Sequence, residues 1–159
     1  MLILVQSVAT IVLASLAAQD LRDRRLSNRA VLAFAMLYFV AAALAHESLA
    51  PLAGHVATAA AMLLIFGGLH HAGWIGGGDV KLAAAVFLWA GPTLALPVLT
   101  IVGAAGALCG LAALAAIAWQ RRAAPARALA VRGVPYGVAL AFGGALAVWV
   151  PSPYAVSLT

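Results

Sequence analysis

The chain of 159 residues is 66% hydrophobic and only 8% charged, with a mean hydropathy of +1.10. A soluble domain carries about 25% charged residues, so this composition excludes a water-soluble protein and places one compact domain, 1–159, in a lipid bilayer. A single cysteine, Cys109, excludes a disulfide framework and a cysteine-built zinc site.

Residues 1–19 carry no charge and have the length of a helix across the roughly 30 Å hydrocarbon core. Ser15 and Ala17 imitate a small-residue cleavage site, but a signal peptide has its basic residues before the apolar run. Here they follow it, so the segment predicts a retained first helix. Residues 20–29 are the most charged stretch, holding Asp20, Asp23, Arg22, Arg24, Arg25 and Arg29. A short second helix is predicted over 30–45, a turn at 46–51 around Pro51, and a third helix over 52–69. Residues 70–78 form a glycine-rich loop, after which Asp79 opens a fourth helix that Gly91-Pro92 ends or kinks. A fifth span runs from Leu94 or Pro97 to about Ala118, with Gly106 and Gly110 at a helix-packing spacing. A second basic loop, 119–133, precedes a sixth span over 134–150. The expected fold class is all-α, a polytopic membrane protein with about six transmembrane helices.

The basic residues test that topology. Arg22, Arg24, Arg25, Arg29, Lys81, Arg121, Arg122, Arg127 and Arg132 are all nine of the lysines and arginines, and every one falls in loops of the same side. The positive-inside rule makes that side cytoplasmic and puts both termini outside. A net charge of +5 and a pI near 10.4 are therefore orientation signals, with anionic headgroups as partners; nucleic acid is the poorer explanation. Trp74, Trp89, Trp119 and Trp149 fall near predicted span ends and suit an interfacial belt.

The candidate chemistry lies in Gly76-Gly77-Gly78-Asp79. Glycine lets backbone bend sharply and lets another group approach closely, and an acid at the mouth of an apolar helix is costly unless it has a task. Three of the four acids, Asp20, Asp23 and Asp79, belong to the cytoplasmic side. If the first and fourth helices pack together, Asp20 and Asp79 can share a site. Two close carboxylates cannot both ionise easily, so one keeps its proton. The ionised member can then activate a water while the neutral one polarises a carbonyl, and peptide hydrolysis follows with no metal or cofactor.

Plainer readings stand beside this one. Asp23, between Arg22 and Arg24, suits a solvated ion pair, and Asp79 suits a helix N-terminus with Lys81 or a loop arginine as its partner. His70-His71 lacks a carboxylate or cysteine at metal-ligand spacing, and His46 and His55 belong to the outer side without partners.

Three stretches resemble one known family. GGGDVKL at 76–82 resembles the GxGD motif of the type IV prepilin peptidases and archaeal preflagellin peptidases. Residues 20–28 resemble that family's first motif, with Leu26-Ser27-Asn28 where Ile-Pro-Asn is usual, a departure that keeps Asp23 as the alternative to Asp20. Val134-Pro135-Tyr136-Gly137 resembles a further signature of the family. The resemblance implies a membrane aspartic endopeptidase of the bacterial inner membrane. It would remove the basic leader of prepilins and pseudopilins at the cytoplasmic face, with Asp20 and Asp79 as the catalytic pair. Longer members carry an N-terminal region with CxxC pairs linked to methylation. With one cysteine, this chain is similar to the short, peptidase-only form of tight-adherence (Flp-type) pilus systems, and no methyltransferase activity is expected. A small transporter with an acid relay, or a noncatalytic assembly subunit, are the alternatives. A relay needs acids along a path through the membrane, whereas these cluster at one boundary.

Overall fold

The computed structural model describes residues 1–123 and 136–150, which form short turns and five helices. They are α1 (Leu2–Asp23), α2 (Asn28–Leu44), α3 (Leu49–His71), α4 (Gly77–Ala123) and α5 (Tyr136–Trp149). Among the described residues there is no strand, so the all-α class holds. α1, α3 and α4 are long and apolar enough to cross a membrane; α2 and α5 are apolar but shorter.

The predicted fourth and fifth spans are the two helical arms of α4, separated as expected by a kink at Gly91, where φ is 60° and ψ −173° and the backbone is not helical. The chain departs from the helix there because Pro92 has no N–H and its ring crowds the carbonyl of the preceding turn. Three boundaries move. Ser48 is the residue ahead of α3, so Pro51 lies inside its first turn, where a missing N–H is no loss. α3 runs on to His71 and α4 starts at Gly77, which shortens the glycine-rich loop to a turn reversed by Gly73 at φ 79°. α4 continues through Ala123, so 119–122 are helical and not loop. The rest of the second basic loop, with Arg127 and Arg132, lies outside the described residues.

α5 organises the packing. α1 rests mainly on α2 and α5, while α4 rests on α2, α3 and α5. Thus α1 and α4 are joined mainly across α5. Small residues make this fit: a Cβ on Gly143 would stand 2.6 Å from Val102, and one on Gly144 about 3.0 Å from Leu13 and 3.1 Å from Val86. α5 therefore lies in the bend of α4, touching Val86 before it and Val102 after it. Hydrophobic association is weak in lipid, so close backbone approach of this kind holds membrane helices together. The core centres on Leu13, Leu16, Phe34, Leu82, Phe87 and Leu140, all fully buried. Trp89 belongs to this core and not to an interfacial belt: it is 7% exposed, stacks on Phe34, and donates its indole N–H to the Phe34 carbonyl at 3.0 Å. Trp74 and Trp119 are exposed, as are Ile3, Leu64, Leu96 and Leu108. An apolar exterior over an apolar interior is the pattern for a chain solvated by lipid.

The two ends of the bundle differ. One gathers the C-terminal ends of α1 and α3 with the N-terminal ends of α2, α4 and α5. At the other, Gln6 donates to the Val148 carbonyl at 2.9 Å and Trp149 to the Thr10 hydroxyl at 2.9 Å. His55, expected without a partner, is buried at this second end. Its Nδ1 lies 2.8 Å from the Leu88 carbonyl, its ring stacks on Tyr38, and its Nε2 is 3.8 Å from Glu47.

Candidate active site

Asp20 sits in the last turn of α1, which closes at Arg24 in the left-handed region (φ 52°), its N–H bonded to the Asp20 carbonyl at 3.1 Å. The Asp20 side chain is buried, and its Oδ2 accepts the Gly137 N–H at 2.9 Å. The first N–H groups of a helix lack intrahelical acceptors and carry partial positive charge, so α5 offers a carboxylate a ready partner. Residue 137 has to be glycine for this contact: a Cβ there would stand 2.9 Å from Asp20 Cβ, Cγ and Oδ2. The Arg24 charge also acts on Asp20.

Asp79 lies in the first turn of α4, with its N–H donated to the Gly76 carbonyl at 3.1 Å. Its Oδ1 is buried and has no hydrogen-bond partner among the described residues. Buried polar atoms are nearly always satisfied, so an open carboxylate oxygen asks for an explanation. Lys81, one of the partners that the plainer reading allows Asp79, instead donates to Asn28 Oδ1 at 3.0 Å.

The three glycines before Asp79 have separate surroundings. Gly76 lines the cavity described below, and a Cβ on it would be 3.0 Å from Asp79 Oδ2. Gly77 and Gly78 are in the helix, where a Cβ would be 3.4 Å from the His70 ring and 3.3 Å from Leu26 Cβ respectively. Positive φ is absent from all three. Leu26 on Gly78 and Asn28 on Lys81 together fasten the first acidic motif to the second.

Both acids open on one cavity of about 970 Å³, lined by Gln19, Asp20, Arg22, Asp23, Arg24, Arg25, Leu26, Ser27, Gly76 and Asp79. The Asp20 charge acts on Asp79 across it. Asp23 lines the same cavity from an exposed position. His70 bonds the Ile75 carbonyl at 2.8 Å, and among the described residues no three His, Cys, Asp or Glu side chains are grouped to hold a metal ion. Sequence reasoning assigned no role to Tyr136 and Gly137, although it singled out their tetrapeptide. Tyr136 fits onto Gly106, where a Cβ would be 2.8 Å from the ring, and the Asp79 charge acts on it. The signal was a Tyr-Gly pair opening an apolar run directly after a basic loop.

Fold and composition define a polytopic helical membrane protein. The sequence model described as the type IV leader peptidase family matches residues 7–111, more than half of the chain, and the chain belongs to that family. The match includes both acidic motifs and ends before 134–137. No curated protein and no solved structure matches the chain.

Proposed function

We propose that the protein is an aspartic endopeptidase that cuts the leader from Flp-type prepilins at the cytoplasmic face of the bacterial inner membrane, with Asp20 and Asp79 as its catalytic pair. Membership of the leader peptidase family implies a prepilin substrate in general terms. The observation that carries the choice of residues is the cavity that Asp20 and Asp79 share, beside which Asp79 Oδ1 is buried and unpartnered among the described residues.

In this mechanism one carboxylate is ionised and takes a proton from water as its oxygen attacks the scissile carbonyl. The other, protonated, donates to the carbonyl oxygen as it gains charge. Collapse of the tetrahedral species breaks the C–N bond, and the proton taken from water passes to the leaving amine. Asp20 is preferred to Asp23 because it is buried and held by the Gly137 N–H, whereas Asp23 is exposed. Of the proposed substrate-approach glycines 76–78, Gly76 is the one on the cavity wall. Six crossings follow if the two arms of the bent α4 count separately and α2 and α5 also span. The charge rule then sets the cavity against the cytoplasm.

The test is cleavage of a co-expressed Flp-type prepilin, read by gel shift. Asp20→Asn and Asp79→Asn should each abolish cleavage while the protein still inserts, and Asp23→Asn should retain substantial activity. Normal cleavage by Asp20→Asn with a dead Asp23→Asn would reassign the first acid. Cleavage by all three variants would sink the aspartic mechanism.

A further inference from the structure

The second end of the bundle holds a buried polar group that the peptidase chemistry does not use. A carbonyl inside a helix normally receives the N–H four residues later, which for Leu88 is residue 92. That residue is Pro92, which has no N–H. His55 of α3 occupies the vacancy, with Nδ1 2.8 Å from the Leu88 oxygen. A carbonyl only accepts, so the Nδ1 of His55 carries the hydrogen and its Nε2 faces Glu47 Oε1 at 3.8 Å. Glu47 Oε2 in turn accepts the Tyr38 hydroxyl at 3.2 Å, and the Tyr38 ring stacks on His55 at 5.1 Å. The imidazole also fills the space beside Gly91, where a Cβ would overlap the ring. His55, Glu47 and Tyr38 line a cavity of about 530 Å³, with His46 and Trp89 also on its wall.

We propose that His55, stacked on Tyr38 and bonded to the Leu88 carbonyl, is a positioning residue: it braces the bend of α4 and so aims the Gly77–Ala90 arm that presents Asp79 at the opposite end. A buried carbonyl with neither a protein donor nor water is costly, and the bend would relax to satisfy it if the donor were removed. A hinge that turns by a few degrees at Gly91 moves the first turn of α4 by more than its last turn before the bend. The inference rests on Asp79 being catalytic, and it predicts an effect on turnover and not on substrate binding.

Two conservative replacements separate the brace from general packing. The amide nitrogen of asparagine falls where Nδ1 lies, whereas that of glutamine falls where Nε2 lies. In a Cys109→Ser background, His55→Leu should lower kcat by at least about tenfold with KM unchanged, since misplacement by about 1 Å can cost that much or more. His55→Asn should restore most of the rate, and His55→Gln should not. Spin labels at Ala84→Cys and Leu108→Cys, one on each side of the bend, give a readout independent of activity. Their distance distribution should shift or broaden in His55→Leu and return in His55→Asn. An unchanged distribution in inserted His55→Leu would overturn the brace, as would equal rates for the Asn and Gln variants. If His55→Leu fails to insert, the comparison of Asn with Gln decides alone. A wild-type chain that cuts no prepilin would remove the peptidase reading only, and the label distances would still decide the brace.

Discussion

A single hydrogen atom at position 137 sets where the Asp20 carboxylate can rest. Gly137→Ala would put a methyl 2.9 Å from Cβ, Cγ and Oδ2 of Asp20, and Cβ, next to the helix backbone, cannot swing aside. The carboxylate must then leave the Gly137 N–H and shift within the cavity. Expected is a loss of prepilin cleavage by about a hundredfold, the scale of a misplaced catalytic group, with insertion unchanged on membrane fractionation. Gly103→Ala is the control, because its Cβ would meet nothing within 4 Å. It should cleave normally and gain slightly in stability, alanine being the better helix former. Equal activity of the two variants would show that the Asp20–Gly137 contact has no part in the reaction.

Among the elements, α4 carries the largest structural demand. Its bend needs a backbone conformation, φ 60° with ψ −173°, that is essentially reserved for glycine. Gly91→Ala should therefore lose about 1–3 kcal/mol for the backbone alone, and more because the methyl would enter the His55 ring. A thermal melt in detergent reads this directly, with Gly54→Ala as the comparison. A Cβ on Gly54 would be 3.5 Å from Pro92, an ordinary contact, so that variant should melt close to wild type. α5 serves the same bend from the other side, with Val86 and Val102 lodged against its glycines. A similar melt for both variants would mean that α4 does not depend on the bend at Gly91.

At the scale of the whole molecule, Arg22, Arg24, Arg25, Arg29 and Lys81 all belong to the end that holds the cavity. That asymmetry orients the bundle and sets the depth of the proposed chemistry. Cysteines at Ser48 and Arg25, each in a Cys109→Ser background, should label from opposite sides of the membrane, Ser48→Cys from outside. Labelling of both from outside would reject the orientation. A substrate with a basic leader, then the cut, then an apolar helix would hold its scissile bond at this depth by the same charge rule. Because Gly76 is the glycine on the cavity wall, a small residue should precede the cut, and a bulky replacement there should stop processing. Equal processing of a bulky residue would remove the close-approach role from Gly76.

Composition alone determined that this chain lives in lipid, because 8% charge cannot cover a water-facing surface. Period and punctuation located the helices, and the run of charges marked one end. The two acidic motifs were legible because polar residues are expensive against hydrocarbon and so stand out from it. What tertiary structure alone decided was which groups meet. No local signal could tell that Gly137, 117 residues after Asp20 in sequence, supplies its N–H, or that α5 and not α4 is the main neighbour of α1. Nor could it show that His55 would answer the carbonyl left open by Pro92, or that Trp89 would be core. Helix propensity and hydropathy act along the chain. Hydrogen bonds to vacated carbonyls, and methyl-sized gaps at glycine, arise only where one helix is laid against another.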